Sequence, residues 1–147
     1  KGEPYVIEYN VRMGDPETQV VIPRIKSDLV ELMVATTTGT LSEVELEIDD
    51  KTASAVVMVA GGYPEKYEKG DSIHGLDLEV DGTVIFHAGT KKSEENVVTN
   101  GGRVLAVTGI GNSMQESLDK SYGLVSKIYW DNVYFRKDIG HDLMTLA

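Results

Sequence analysis

The stretch NVVTNGGRVLAVTGIGNSMQESL, residues 96–118, decides the fold class of this chain. Two runs rich in Val, Leu and Thr flank the turn signal Asn-Gly-Gly at 100–102, which predicts a β-hairpin. The second run stops at Asn112, which we expect to cap a helix, with Gln115 at the reciprocal position. Strand, turn, strand and helix follow one another directly, so the stretch predicts an α+β fold with antiparallel pairing.

The same pattern continues on both sides of this stretch. Residues 76–80 and 83–89 flank Asp81-Gly82, a two-residue signal that predicts another hairpin. Residues 53–60 are short and β-branched, which is typical of a buried strand. Apolar residues then recur at helical spacing, at Met114, Leu118, Tyr122, Val125 and Tyr129. Residues 51–147 are therefore predicted as an antiparallel, β-hairpin-rich domain with one packed helix.

The beginning of the chain predicts a strand that lacks a partner. Residues 5–11 are apolar and extended in character, and Asp15 and Pro16 follow as an N-cap and a first helical position. A buried strand needs a neighbour for its backbone N–H and C=O groups. Since no earlier strand precedes it, we expect the sequence to be cut from a longer protein.

A helix and a second short strand are predicted next. Ser27 can cap a helix through residues 28–38, and Gly39 is its expected end. Residues 45–48 alternate between apolar and charged side chains, which favours a strand, although Ser42–Glu45 also has the form of a helix-capping box.

Composition restricts the classes of function. The 147 residues carry a formal net charge of −10, with a sequence pI near 4.7, so we expect no nucleic-acid partner. The chain has no cysteine, which excludes thiolate metal sites and is compatible with the cytoplasmic location that we expect. The apolar run at 55–60 is too short to span a bilayer, so no membrane partner is expected either.

Polar side chains alternate along the first predicted strand. Glu8, Asn10 and Arg12 would lie on one face, because side chains two apart on a strand point the same way. Carboxylate and amide oxygens are the ligands that Mg²⁺ prefers, with phosphate oxygens and water completing its octahedron. On spacing alone, a merely polar strand end remains the commoner explanation of this pattern.

Longer motifs carry a resemblance to a known family. The string EYNVRMGDPETQVVIPRIKSDL, residues 8–29, resembles the metal-binding strand and following loop of ATP-grasp ligases, in particular the phosphoribosylamine–glycine ligases. The segments VVMVAGGYPEKYEKGDSIHGL, FHAGTK, VVTNGGRVLAVTGIG and RKDIG resemble the C-terminal domain of the same family, in the same order. The resemblance covers nearly the whole chain.

The resemblance implies an ATP-dependent carbon–nitrogen ligase. The family joins glycine to 5-phosphoribosylamine through an acyl phosphate in purine biosynthesis, with ATP and Mg²⁺ or Mn²⁺. By resemblance, residues 1–50 would be the end of an ATP-grasp domain and residues 51–147 the C-terminal lid domain. The partners would be the two small-molecule substrates and the rest of the same protein, and this fragment alone is expected to be inactive.

The resemblance also implies roles for individual residues. Glu8 and Asn10 would be metal ligands, and Arg12 would be catalytic, facing the reacting phosphate or substrate. Substrate-binding roles are implied for two acidic residues, Asp15 and Glu17, although Asp15 has a capping role as an equal alternative. The cations proposed for the ribose 5-phosphate, Lys91 and Arg103, both follow Gly-rich turns whose N–H groups can add to an anion site; whether Lys91 or Lys92 is used stays open.

Alternatives remain at this point. Another ATP-grasp ligase acting on a different carboxylate would share these motifs. A lipoyl-like binding module is a weaker alternative, because no Met-Lys-Met turn occurs. The histidines His74, His87 and His141 show no metal-ligand spacing. The sequence Gly-Gly-Tyr-Pro at 61–64 is explained by a tight turn, and packing near the substrate is the alternative.

Overall fold

A three-stranded antiparallel sheet forms the centre of the computed structural model, which describes residues 2–144. In chain order the elements are α1 (Thr18–Val21), α2 (Leu29–Thr38), β1 (Thr52–Val59), β2 (Thr83–His87), β3 (Thr90–Ser93), β4 (Asn96–Thr99), β5 (Arg103–Gly111), α3 (Met114–Val125) and α4 (His141–Met144), with 3-10 turns at Ile22–Arg24 and Leu41–Glu43. The strand order of the sheet is β1-β5-β2, and β3 and β4 form a separate two-stranded sheet. The predicted α+β class with antiparallel pairing is confirmed.

The central strand β5 is apolar on both faces because it is covered on both. Val56 of β1 and Ile85 of β2 both lie opposite Val107, which is fully buried. Alternate residues of β1 point inward, as a half-buried strand requires. The core therefore lies between this sheet and α3, and its fully buried members include Val56, Met58, Leu105, Val107 and Val125.

Helix α3 packs unusually close to the sheet because two glycines of β5 face it. A Cβ atom placed on Gly109 would collide with the carbonyl oxygen of Ser117, and one on Gly111 would lie 2.8 Å from the Ser117 nitrogen. The buried Ser121 hydroxyl donates to the carbonyl of Ser54 on β1 at 2.9 Å. Small side chains and a buried hydrogen bond thus join helix and sheet.

The first fifty residues attach to this unit through polar contacts. The Thr108 hydroxyl of β5 donates to the carbonyl of Gln19 in α1 at 2.9 Å. The Arg24 guanidinium donates to the carbonyl of Asp49 at 2.9 and 3.1 Å. The first bond holds α1 against the sheet, and the second pair joins the turn after α1 to the segment that leads into β1.

Both predicted hairpins are wrong in their pairing. Residues 76–80 form no strand, and β2 pairs with β5 instead. The strands on either side of residues 100–102 also take different partners, since β4 pairs with β3 while β5 pairs with β1 and β2. The turn signals were real, because both segments are turns or bends, but the strands they join pair over longer distances.

Strands are absent from two other predicted positions. Residues 5–11 form no strand and are exposed, with Ile7 at 95% and Val11 at 97%, because no strand within residues 2–144 lies beside them. Residues 45–48 contain only one isolated bridge, between Ile48 and Ile25. The strand predicted at 53–60 is confirmed as β1.

The helix ends differ from the predicted caps by a residue or more. Asp28, not Ser27, caps α2 by accepting from Val30 at 2.8 Å, and Gly39 ends it as predicted, with φ of 75°. Ser113, not Asn112, caps α3, and Glu116 rather than Gln115 completes the box by accepting from the N–H of Asn112 at 2.8 Å. Among residues 2–144, none of the helices has the length and apolar character that a membrane-spanning helix needs.

The bounds of α1 and α3 also differ from the prediction. α1 begins at Thr18 with Glu17 at its N-cap position, so neither Asp15 nor Pro16 takes the predicted place. α3 ends at Val125, and Tyr129 instead forms an isolated bridge with His74.

Candidate functional site at one end of the sheet

Three glycines allow the ends of the strands to lie close together at one end of the sheet. A Cβ atom on Gly89 would lie 2.6 Å from the Cα of Gly101, and a Cβ atom on Gly101 would lie 2.9 Å from the Cα of Gly89. The Gly89 N–H donates to the carbonyl of Arg103 at 2.8 Å, and Ala60 donates to Gly102 at 2.8 Å. We call Gly89, Gly101 and Gly102 the glycine-lined end. Only residues without a side chain permit backbones to approach this closely.

Arg103 begins β5 at the glycine-lined end and pairs with Asp15. The guanidinium Nη2 lies 2.9 Å from the Asp15 carboxylate, and the side chains are 43% and 58% exposed. Two residues that the sequence assigned separately to the substrate site are therefore in direct contact. The contact links the loop before α1 to the first residue of β5, and solvent reaches both charges.

Lys91 lies on β3, the strand that leaves the glycine-lined end. It is the second residue of β3, two residues after Gly89, and lies opposite Val98. Its side chain is exposed and makes no ion pair within residues 2–144. Thr90 just before it bonds to the Ala88 carbonyl, so β3 leaves directly from the glycine-lined end.

Tyr63 lies against the glycine-lined end and was not selected from the sequence. A Cβ atom on Gly102 would lie 3.1 Å from Tyr63 Cγ and nearer still to the edge of the ring. Tyr67 packs edge-on against Tyr63, with ring centroids 6.0 Å apart. The signal in the sequence is the Gly-Gly-Tyr-Pro motif at 61–64, for which a tight turn is a sufficient local explanation.

The remaining predicted residues lie in the first part of the chain. Glu8, Asn10 and Arg12 are all exposed, and Arg12 donates to the carbonyl of its neighbour Met13 at 3.1 Å. Glu17 is exposed too, and its carboxylate packs over Gly14. The structure therefore brings Asp15 to Arg103, but it does not bring Glu8 or Asn10 into contact with either.

A metal ion would need ligands beyond those that this segment offers. Within the described residues, no group of three or more His, Asp or Glu side chains is placed to hold one. Glu8 and Asn10 provide a carboxylate and an amide oxygen, which is the donor chemistry of Mg²⁺. This donor set fits part of an octahedral site that phosphate oxygens and other donors complete.

Shifted pKa values occur away from the glycine-lined end. The backbone N–H of Asn112 and the ammonium of Lys120 lower the pKa of Glu116. The Arg136 guanidinium lowers the pKa of Asp138, whose oxygens it meets at 2.9 Å. Both pairs stabilise local structure, so they do not identify an acid or base for chemistry.

An apolar cavity of about 310 Å³ adjoins the Asp15 loop. Its walls include Pro16, Tyr63, Val57 and Phe135. A neighbouring cavity of about 470 Å³ shares Pro16 and Ile139 with it and continues along β1. Tyr63 and Pro16 line this apolar groove and also adjoin the Asp15–Arg103 pair, since Pro16 follows Asp15 and Tyr63 contacts Gly102, the residue before Arg103.

Comparison with known proteins gives a family match. The family described as "Phosphoribosylglycinamide synthetase, C domain" matches residues 53–142. A solved structure, the phosphoribosylamine–glycine ligase of Thermotoga maritima, is similar with a TM-score of 0.70 and 35% identity, over 93% of this chain and 34% of that one.

Curated relatives extend the match to the first part of the chain. The phosphoribosylamine–glycine ligase of Escherichia coli is 53% identical over 142 residues, and that of Vibrio vulnificus is 48% identical over 141; each match covers 95% of this chain and 33% of the relative. A bifunctional purine biosynthetic protein of Pichia angusta is 50% identical over 95% of this chain and 18% of its own length. The chain therefore spans about a third of the length of its bacterial relatives.

Proposed function

The chain belongs to the phosphoribosylglycinamide synthetase C-domain family, and we propose that it forms part of a ligase that joins glycine to 5-phosphoribosylamine with ATP. The observation that carries the proposal is the 2.9 Å contact between Asp15 and Arg103. It places two residues implied by the family resemblance together, although the chain between them includes most of the sheet. The relatives named as phosphoribosylamine–glycine ligases support the same reaction class.

The glycine-lined end is the proposed site for the substrate phosphate. Arg103 offers N–H donors beyond those facing Asp15, and Lys91 adds an exposed ammonium from β3. A charged donor to a phosphate oxygen contributes about 1.5–3 kcal/mol, roughly twice a neutral one. On a chain whose net charge is −10, these cations supply local attraction for an anion.

Glu8 and Asn10 are proposed as two ligands of Mg²⁺ or Mn²⁺. When bound, the metal would neutralise charge on the ATP phosphates. Arg12, two residues further on, is proposed to stabilise negative charge on the reacting group. Asp15 and Glu17 are proposed to border the substrate, with Asp15 acting through Arg103. Residues 1–50 would then be the end of an ATP-grasp domain, and residues 51–147 the lid domain.

The test is a hybrid enzyme in which this chain replaces the matching third of the Escherichia coli relative. We expect it to release ADP only when Mg²⁺, glycine and phosphoribosylamine are all present. Replacing Lys91 and Arg103 by Ala together should raise the KM for phosphoribosylamine by roughly 10²- to 10⁴-fold, since two charged contacts of about 1.5–3 kcal/mol each are lost.

Lys51→Ala is the matched control for that variant. Lys51 is an exposed cation just before β1, at the opposite end of the sheet from Arg103. This variant should leave the KM values for ATP, glycine and phosphoribosylamine unchanged. ADP release that ignores phosphoribosylamine would contradict the proposed reaction. An unchanged KM in the Lys91 and Arg103 variant would contradict the proposed phosphate site alone.

A further inference from the structure

Tyr63 contacts the backbone immediately before Arg103. Its ring occupies the space that a side chain at position 102 would fill, so Gly102 and Tyr63 fit each other. The turn that carries Tyr63 is tied to the same place, because the Tyr63 N–H donates to Ala60 at 3.1 Å and the Ala60 N–H donates to Gly102 at 2.8 Å. The Tyr63 ring and the Ala60 N–H thus both contact Gly102 and hold it in place.

On this basis, and resting on the proposed function, we propose that Tyr63 is a positioning residue that sets the direction of Arg103 toward the substrate phosphate. The ring does so by holding Gly102, the residue before Arg103, against the end of β1. The pairing of β1 with β5 is irregular at this point, where the register shifts between Met58 and Val59. Regular strand pairing therefore does not fix the direction of Arg103 by itself, and a further contact is needed to do so.

The ring of Tyr63, and not its hydroxyl, makes the contact with Gly102 on which the proposal rests. Within residues 2–144 the hydroxyl makes no hydrogen bond, and the side chain is 38% exposed, outside the buried core. Its ring packs against the Gly102 backbone and edge-on with Tyr67, with 6.0 Å between the two ring centroids. An aromatic ring that is held by another ring, and that bears on glycine backbone, acts as a rigid support.

The activity test uses the hybrid enzyme with Tyr63→Ala and Tyr63→Phe. We expect Tyr63→Ala to raise the KM for phosphoribosylamine roughly 5- to 50-fold while the KM for ATP stays unchanged, because misplacing a binding group by about 1 Å can cost up to roughly 100-fold. Tyr63→Phe keeps the ring and should restore the original KM. Tyr129→Ala, at an exposed tyrosine that contacts His74 instead, is the matched control and should change neither value.

A double-mutant cycle separates positioning from general damage. Gly102→Ala should displace the ring and raise the same KM. Combined with Tyr63→Ala, its effect should be clearly less than the product of the two single effects, because both changes break one contact. Independent, multiplying effects would overturn the proposal.

A spectroscopic readout on the chain itself does not depend on activity. The NMR residual dipolar coupling of the Arg103 backbone N–H, which reports the direction of that bond, should change in Tyr63→Ala and stay the same in Tyr63→Phe. The proposal is overturned if that coupling is unchanged in Tyr63→Ala, or if a folded Tyr63→Ala hybrid keeps the original KM for phosphoribosylamine. It is also overturned if Tyr63→Phe raises this KM as much as Tyr63→Ala does. The proposed function fails in a different way, since the unaltered hybrid would then not require phosphoribosylamine at all.

Discussion

At the scale of single residues, Gly109 determines how closely α3 approaches the central strand. A Cβ atom there would meet the carbonyl oxygen of Ser117 and lie 2.7 Å from both the nitrogen and the hydroxyl of Ser121. All but one of these atoms belong to helix backbone, which cannot rotate away as a side chain can. The position therefore tolerates no larger residue without moving α3.

We expect Gly109→Ala to lower the free energy of unfolding by about 1–3 kcal/mol, the usual cost of overfilling a packed interior. Gly123→Ala is the matched control, since a Cβ atom at Gly123 meets nothing within 4 Å and this residue lies inside α3. That change should raise stability by about 0.5–1 kcal/mol. Urea unfolding of the chain measures both, and equal effects of the same sign would contradict the packing argument.

Single residues also show what the sequence could and could not predict about the site. Asp15 and Arg103 were each selected from motifs, but their mutual contact depends on how α1 lies across β5, which no local pattern contains. The Gly-Gly-Tyr-Pro motif does not single out Tyr63, because a tight turn explains it locally. The role that we propose for it depends on Gly102, which is distant in sequence and adjacent only after folding.

At the scale of elements, the sequence predicted where strands lie better than which strands pair. β1, β2 and β5 were found from their apolar runs, because burial imposes composition on a strand whatever its partner. Their pairing was mispredicted because Asp81-Gly82 and the glycines at 101–102 look like hairpin turns, whereas the edges of β5 are taken by β1 and β2. Turn chemistry fixes local direction, and only the packing of the whole core selects partners.

The capping box of α3 predicts a dependence on pH. The Asn112 N–H, and then Lys120, lower the pKa of Glu116 below its ordinary value of 4.5. A carboxyl group whose pKa is lower in the folded state stabilises that state above its unfolded pKa and loses this contribution as pH falls through the folded pKa. Glu116→Gln should therefore cost stability at neutral pH, and the difference from wild type should shrink progressively below about pH 4.5.

Urea unfolding at a series of pH values measures that difference. Glu65→Gln is the matched control, because the exposed Glu65 side chain makes no hydrogen bond or ion pair within the described residues. It removes the same charge and should not reproduce the effect. A difference between Glu116→Gln and wild type that stays constant down to pH 2 would show that the carboxylate does not support the cap.

At the scale of the whole molecule, the charged and polar residues of the first segment make no hydrogen bond or ion pair with the glycine-lined end among residues 2–144. Glu8, Asn10 and Arg12 are exposed, and large apolar neighbours such as Ile7 and Val11 are exposed with them. Apolar residues in such numbers on a surface are typical of an interaction site. The glycine-lined end, by contrast, is held by backbone hydrogen bonds and by the ion pair with Asp15.

This lack of contact predicts that the 147-residue chain releases no ADP by itself. Two oxygen donors at Glu8 and Asn10 leave most positions of an octahedral Mg²⁺ site to other groups, and no group of three acidic or histidine side chains is available among residues 2–144. The chain should be inactive with ATP, Mg²⁺, glycine and phosphoribosylamine, whereas the hybrid with the Escherichia coli relative should be active under the same conditions. Glu8→Gln in the hybrid should weaken activation by Mg²⁺ with little change in the KM for phosphoribosylamine, because it removes the charge of a proposed metal ligand and leaves Arg103 intact. ADP release by the chain alone would mean that its residues form a complete nucleotide site, and the division of roles between its first segment and its sheet would have to be abandoned.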